Sequence, residues 1–282
     1  MDFELDVTIA IAAITDPDGH IVTVSDRALS NQDVVPSADD ATLKFRKITR
    51  TWAMLFAAND ANMFLPLVDI SMERLLTIST EGHDLETVEE VVSGAYKVLF
   101  DREFSSRHLS RFGLKSIEEF RTTGRDQFGE DKFKAICEEV EAFDLRIELL
   151  CCGFDTKKRA HIFEVKNPGT VTNHDLLRYA IIGSGFWMAL SSLRRRPFRQ
   201  FLEETIYRLL EAKFSAETAT GVGELTAVIT MNNKGVFGVM YTPDIDKVKA
   251  IWREERRRPD PESALKIVEK TSAVRELSDE ER

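Results

Sequence analysis

Histidine and cysteine are the side chains most often used for metal ligation or nucleophilic attack near neutral pH, and this sequence holds few of either. Its five histidines, His20, His83, His108, His161 and His174, form no HxxxH or comparable cluster. The spacing therefore predicts no metal site and no bound cofactor. The three cysteines, Cys137, Cys151 and Cys152, cannot build a disulfide framework, and adjacent cysteines rarely pair with each other. Cys151 and Cys152 stand in an apolar run and read as buried thiols. A reducing, cytoplasmic setting is the expectation.

The elements that would position any chemistry have ordinary material to work with. Of 282 residues, 43% are hydrophobic and 30% charged, enough for a real core. The 18 phenylalanines read first as core material. A formal net charge of −10 gives a nucleic-acid partner no general electrostatic help. The basic runs Arg194-Arg195-Arg196 and Arg256-Arg257-Arg258 read as solvated helix ends. The N-terminus carries acids and no basic n-region, so no secretory signal is expected there. No apolar stretch reaches the roughly 18 residues that suggest a membrane span.

Residues 7–14 are short, β-branched and apolar, as in a strand buried on both faces. Asp16-Pro17-Asp18-Gly19 is a turn signal, and residues 20–25 read as the returning strand of a hairpin. Residues 28–41 read as a loop, 44–48 as a half-buried strand and 52–58 as a buried one. Asp60 is placed to cap a helix that follows. Residues 84–142 carry apolar residues at helical spacing and read as wholly helical. Strands are expected again at 145–154, 161–165 and 179–182. Gly183-Ser184-Gly185 then opens a helix. A helix over 198–214, a hairpin over 224–241 around Asn232-Asn233-Lys234, and a helix over 244–257 complete the order. The class is α+β.

Six of these segments resemble, in order, those of the proteasome-type N-terminal-nucleophile hydrolases, including the bacterial HslV-type protease. Val7-Thr8-Ile9-Ala10-Ile11 and the stretch from Asp18-Gly19 to Asp26-Arg27 resemble the family's opening hairpin. Lys44-Phe45-Arg46-Lys47-Ile48 resembles its "KxxKI" strand, and Ala57-Ala58-Asn59-Asp60-Ala61 its "GxxxDA" helix start, with the glycine lost. Ile147 to Asp155 resembles "xxLLxAGxD", and Tyr179 to Gly185 resembles "xxAxGSG". The resemblance implies a four-layer αββα sandwich over residues 1–258, with an extra helical insertion at about 84–142 and a charged tail over 259–282. It also implies self-association into rings, with a partner ATPase and peptide substrates as the family's usual company, and no nucleic acid or membrane.

The family's peptidases attack with the hydroxyl of an N-terminal threonine, whose own α-amine takes the proton. A lysine and an aspartate support it, and a glycine-serine-glycine turn orients the amine. By resemblance, Asp26 is the aspartate, Lys44 the lysine and Ser184 the serine, with Glu217, Thr220 and Gly221 standing in for "DxxSG". Aligned by its apolar pattern, the first strand puts Asp6 or Val7 at the nucleophile position, and Thr8 falls one or two places later. A one-residue slip sends a strand side chain to the opposite face. Thr8 thus serves as nucleophile only if residues 1–7 are removed and the register differs. No glycine precedes Thr8, and the chain starts at Met1. The expectation is a ring- or scaffold-forming subunit with a degenerate nucleophile position. The alternative is a self-processed N-terminal threonine peptidase or amidase using Thr8. Each site residue also has a plainer reading: Thr8 as a strand threonine, Asp26 and Lys44 as an ion pair at a sheet end, and Ser184 as a helix cap.

Overall fold

The computed structural model describes residues 8–15, 19–27, 44–58, 60–195 and 201–256. Two five-stranded antiparallel sheets form its frame. The first runs β10 (Phe237–Val239), β9 (Thr226–Asn232), β2 (His20–Asp26), β1 (Ala10–Ile14), β8 (Tyr179–Ile182). The second runs β3 (Phe45–Lys47), β4 (Trp52–Ala58), β5 (Ile147–Phe154), β6 (Ala160–Lys166), β7 (Thr170–Asn173).

The central strands are apolar on both faces because each face meets a different cluster. Side chains alternate across a strand with period two. Along β1, Ala10, Ala12 and Ile14 share a cluster with Ala53, Leu55, Ala57, Leu150 and Cys152 of the second sheet. The intervening Ile11 and Ala13, with Ile9 just ahead of the strand, pack instead with Leu209, Ala212 and Phe214. Those three come from α6 (Leu202–Ala216), which packs beside α5 (Phe186–Arg194). In the second sheet, Trp52, Met54, Phe56, Leu149 and Cys151 pack with α1 (Phe64–Ile78) and α2 (Leu85–Phe104). Each large apolar side chain fully buried in this way stabilises the fold by about 1.5–3 kcal/mol.

The helical stretch extends from α2 through a π turn at Ser105–Leu109 and a 3-10 turn at Ser110–Phe112. It is not wholly helical as expected: residues 113–116 break it, with Gly113 at φ of +78°, before α3 (Ile117–Phe128) and α4 (Glu130–Ala142). Ser116 caps α3 by accepting from the Glu119 amide, and Gly129, with φ of +77°, separates α3 from α4. Asp60 caps a 3-10 turn at Ala61–Met63 that leads into α1. The last helix, α7, spans Thr242–Arg256. Among the described residues, no helix is long and apolar enough to cross a membrane.

Three further expectations need correction. The regular first strand begins at Ala10, because Thr8 and Ile9 direct their backbone groups to Ser184, Asp26 and Gly185. Of the helix expected over 198–214, Phe201 is extended and the helix runs Leu202–Ala216, while residues 198–200 lie outside the described residues. β7, which pairs with β6, was not expected at all. The turn at residues 16–18, the loop at 28–41, Arg196 of the first basic run, Arg257 and Arg258 of the second, and the tail at 259–282 lie outside the described residues.

Candidate functional site

The site forms where β1 and β2 meet the turn after β8. Strand register sets it up: Ala10 faces Ser25, so the chain just ahead of β1 runs past Asp26. Ile9 and Asp26 exchange bonds there, the Asp26 amide donating to the Ile9 carbonyl (3.2 Å) and the Ile9 amide to Asp26 Oδ1 (3.1 Å). The Thr8 hydroxyl donates to the same Oδ1 at 2.7 Å. Lys44, one residue before β3, donates from Nζ to Asp26 Oδ1 at 2.7 Å and also to Thr8 Oγ1. The other carboxylate oxygen, Oδ2, accepts from the Gly223 amide at 3.1 Å. Asp26 therefore receives four donors, which offsets the cost of burying its charge.

All three side chains are shut away from solvent: Thr8 is 1% exposed, Lys44 1% and Asp26 0%. In such surroundings, fixed charges act on a neighbouring oxygen far more strongly than in water. The Thr8 hydroxyl has an ammonium on its lone-pair side and a carboxylate on its proton side. That polarisation is what a latent alkoxide nucleophile requires.

Ser184 completes the group. Its Oγ accepts from the Thr8 amide at 3.3 Å, and lies 3.3 Å from the Thr8 carbonyl and 3.4 Å from that of Thr220. It does not cap α5, whose start has no side-chain cap. The turn comes this close because residue 183 is glycine. Its φ is +92°, and a Cβ there would stand 2.3 Å from the Thr8 carbonyl oxygen. Glu148 of β5 holds the turn from the other side, accepting the Gly183 amide at 2.8 Å while Lys166 pairs with Glu148 at 3.0 Å.

The structure thus brings Thr8, Asp26, Lys44 and Ser184 together. The side chain beside Asp26 and Lys44 is Thr8, whereas the apolar pattern puts Asp6 or Val7 at the nucleophile position; both of those lie outside the described residues. Of the "DxxSG" stand-in, Thr220 contributes its carbonyl, and Glu217 pairs with Lys213 (2.6 Å) and Lys249 (2.8 Å). Glu148 and Lys213 were missed in the sequence.

A second group of buried charge lies in the second sheet. His161 is sandwiched between Asp175 (Nδ1 to Oδ2, 2.6 Å) and Asp155 (3.3 Å), with its ring stacked on Trp52. Burial alone would push its imidazole down in pKa, but the bond and charge of Asp175, joined by Asp155, leave it raised. The thiols are not nucleophile candidates. Burial pushes Cys152 up to about 12 and Cys151 well above its ordinary value, so neither is a thiolate near neutral pH.

No protein-family model matches this chain, and no curated protein matches it.

Proposed function

We propose that this protein is an N-terminal-nucleophile hydrolase whose nucleophile is Thr8, latent until the Val7–Thr8 bond is cleaved. The observation that carries the proposal is the buried contact of one hydroxyl with both Lys44 and Asp26, with Ser184 on the amide of the same residue. Cleavage of the Val7–Thr8 bond follows from the same groups. Thr8 Oγ1 attacks the Val7 carbonyl carbon, the C–N bond breaks, and the departing nitrogen takes the hydroxyl proton. Water then hydrolyses the Val7 ester, releasing Val7 as a carboxylic acid and freeing the Thr8 hydroxyl beside the amine.

The freed α-amine titrates near pH 8, so a neutral base is present at cellular pH. In the proposed reaction it takes the proton from Thr8 Oγ1 as that oxygen attacks a peptide carbonyl. The proton passes to the leaving amine, and water releases the acyl group. Lys44 holds positive charge beside the attacking oxygen, Asp26 holds Lys44, and Ser184 orients the amine. The proposed architecture is a four-layer αββα sandwich. Its support is the succession of three apolar clusters: helix against sheet, sheet against sheet, and sheet against helix.

The test follows the full chain in solution by intact mass. Conversion to a species starting at Thr8, abolished by Thr8→Ala, supports the proposal. A wild-type chain that keeps Val7 indefinitely and does not react with peptide substrates argues against it.

A second reading, a ring- or scaffold-forming subunit, has its own support in exposed apolar side chains. Trp187 is 73% and Met188 48% exposed on α5, and large apolar side chains grouped on a surface mark association sites. Native mass spectrometry tests this second reading: a monomer at micromolar concentration removes it.

A further inference from the structure

Asp26 meets two lysine systems, one directly through Lys44 and one through the loop that Lys213 holds. Lys44 meets Oδ1 directly. The other oxygen, Oδ2, is met by the Gly223 amide, in a segment between α6 and β9 with no regular structure of its own. Such a segment stays in place only if something else satisfies its backbone. The Val222 amide bonds back to the Ala219 carbonyl and Ser184 Oγ lies beside the Thr220 carbonyl, while the Gly223 and Glu224 carbonyls both accept from Lys213, in the last turn of α6.

Lys213 is 0% exposed. Its ammonium has three protons, and all three are used: on Glu217 Oε1 (2.6 Å), the Gly223 carbonyl (2.8 Å) and the Glu224 carbonyl (2.8 Å). Two of the three partners therefore lie on and next to the residue whose amide holds Asp26. Glu217 is fixed in turn by Lys249 of α7, at 2.8 Å from its second oxygen. Burial pushes the Lys213 ammonium below its ordinary pKa, against the opposing charges of Glu217 and Asp26. A lysine serving only to stabilise a helix end would keep its charge in water.

We propose that Lys213 is a positioning residue of the Thr8 site. It clamps residues 217–225 so that the Gly223 amide stays on Asp26, and Asp26 in turn keeps Lys44 and the Thr8 hydroxyl aligned. The catalytic consequence rests on the hydrolase reading of Thr8; the clamp itself does not. Removing the ammonium takes the donor from the Gly223 carbonyl and leaves the Glu224 carbonyl only its longer bonds to Lys249 and Thr226, so the loop carrying Gly223 moves off the carboxylate. Small displacements at a reacting centre, even from remote substitutions, cost on the order of 100-fold in rate.

The test compares full-length wild type with Lys213→Met, using two readouts on the same samples. Amide-resolved hydrogen exchange follows Gly223, with Ile11 and Val24 in the β1–β2 hairpin as controls. Intact mass follows cleavage of the Val7–Thr8 bond. The proposal expects loss of Gly223 protection, unchanged controls, and cleavage slowed on the order of 100-fold. Unchanged Gly223 protection in a folded Lys213→Met chain overturns it, as does lost protection with cleavage at the wild-type rate. If Lys213→Met does not fold, Lys213→Gln, which keeps a polar side chain there but no ammonium to bridge Glu217 and the two carbonyls, is judged by the same criteria. If wild type itself never cleaves, the hydrolase reading fails, and the clamp is decided by Gly223 exchange alone: loss supports it and retention overturns it.

Discussion

The two sheets each hold a cluster of buried charge, similar in composition and different in what is left for chemistry. In the second sheet, His161 sits between two aspartates, and Asp155 is further satisfied by Arg159 at 2.7 Å. Among the described residues, no hydroxyl or thiol is hydrogen-bonded to the side chains of that group. In the first sheet, one aspartate gathers a lysine, two backbone amides and a hydroxyl, and the hydroxyl belongs to a residue whose own amide is held separately by Ser184. The histidine cluster resembles a catalytic relay in residue types alone. The threonine cluster resembles one in geometry, because its charges converge on a single oxygen. Perturbed, buried ionisable groups are therefore a poor guide to function until the atom they converge on is identified.

Thr8→Ala should abolish Val7–Thr8 cleavage altogether while leaving the fold intact, as read by intact mass and thermal unfolding. Lys44→Met should slow the same cleavage on the order of 1,000-fold. It should also destabilise the protein by about 3–5 kcal/mol, since Asp26 would stay buried without its partner; denaturant unfolding measures this. His161→Phe should cost about 1–3 kcal/mol of stability and leave Thr8 cleavage at the wild-type rate. If it instead stops cleavage, the distinction between the clusters collapses.

The pH dependence of that third effect sharpens the contrast. His161 is raised in the folded state, so its contribution is complete below the unfolded value of about 6.5 and fades as pH rises through the folded value. Asp175 is lowered: burial pushes it up, but the His161 hydrogen bond and its other partners outweigh this. Its contribution is complete above about 3.9 and fades as pH falls through the lowered folded value. The stability gap between wild type and His161→Phe should therefore be widest between about pH 4 and 6.5. A gap independent of pH would mean that Trp52 stacking alone carries the residue. The smallest effect is expected at Glu148. Glu148→Gln, which still accepts from the Gly183 amide, should leave cleavage near wild type, whereas Glu148→Ala should slow it measurably.

Much of the frame was legible because its signals are local. Continuous apolar runs at β1, β4 and β5 announce strands buried on both faces, and each face does meet a separate cluster. The helical period from Leu85 to Ala142 is equally plain. β7 escaped notice because it is a four-residue edge strand with mostly exposed side chains, leaving no alternation to read. The site was legible in residue types and not in register. Thr8 lies ahead of β1, outside the strand, so counting by apolar alternation misassigns where its side chain goes. Lys213 carries one signal, a lysine between the apolar Ala212 and Phe214 with Glu217 four residues on. Its two carbonyl partners come from a loop without periodicity, so nothing in the spacing pointed to them.

The central claim is that Thr8 is the attacking group, and covalent labelling tests it most directly. The full chain is incubated with a β-lactone, whose ring a threonine oxygen opens by attack at the carbonyl, and the adduct is located by peptide mass spectrometry. The prediction is one lactone mass on the hydroxyl of Thr8, in a chain that begins at Thr8, and none in Thr8→Ala. A chain that retains Val7 and carries no adduct, or an adduct on any other residue, would contradict the account.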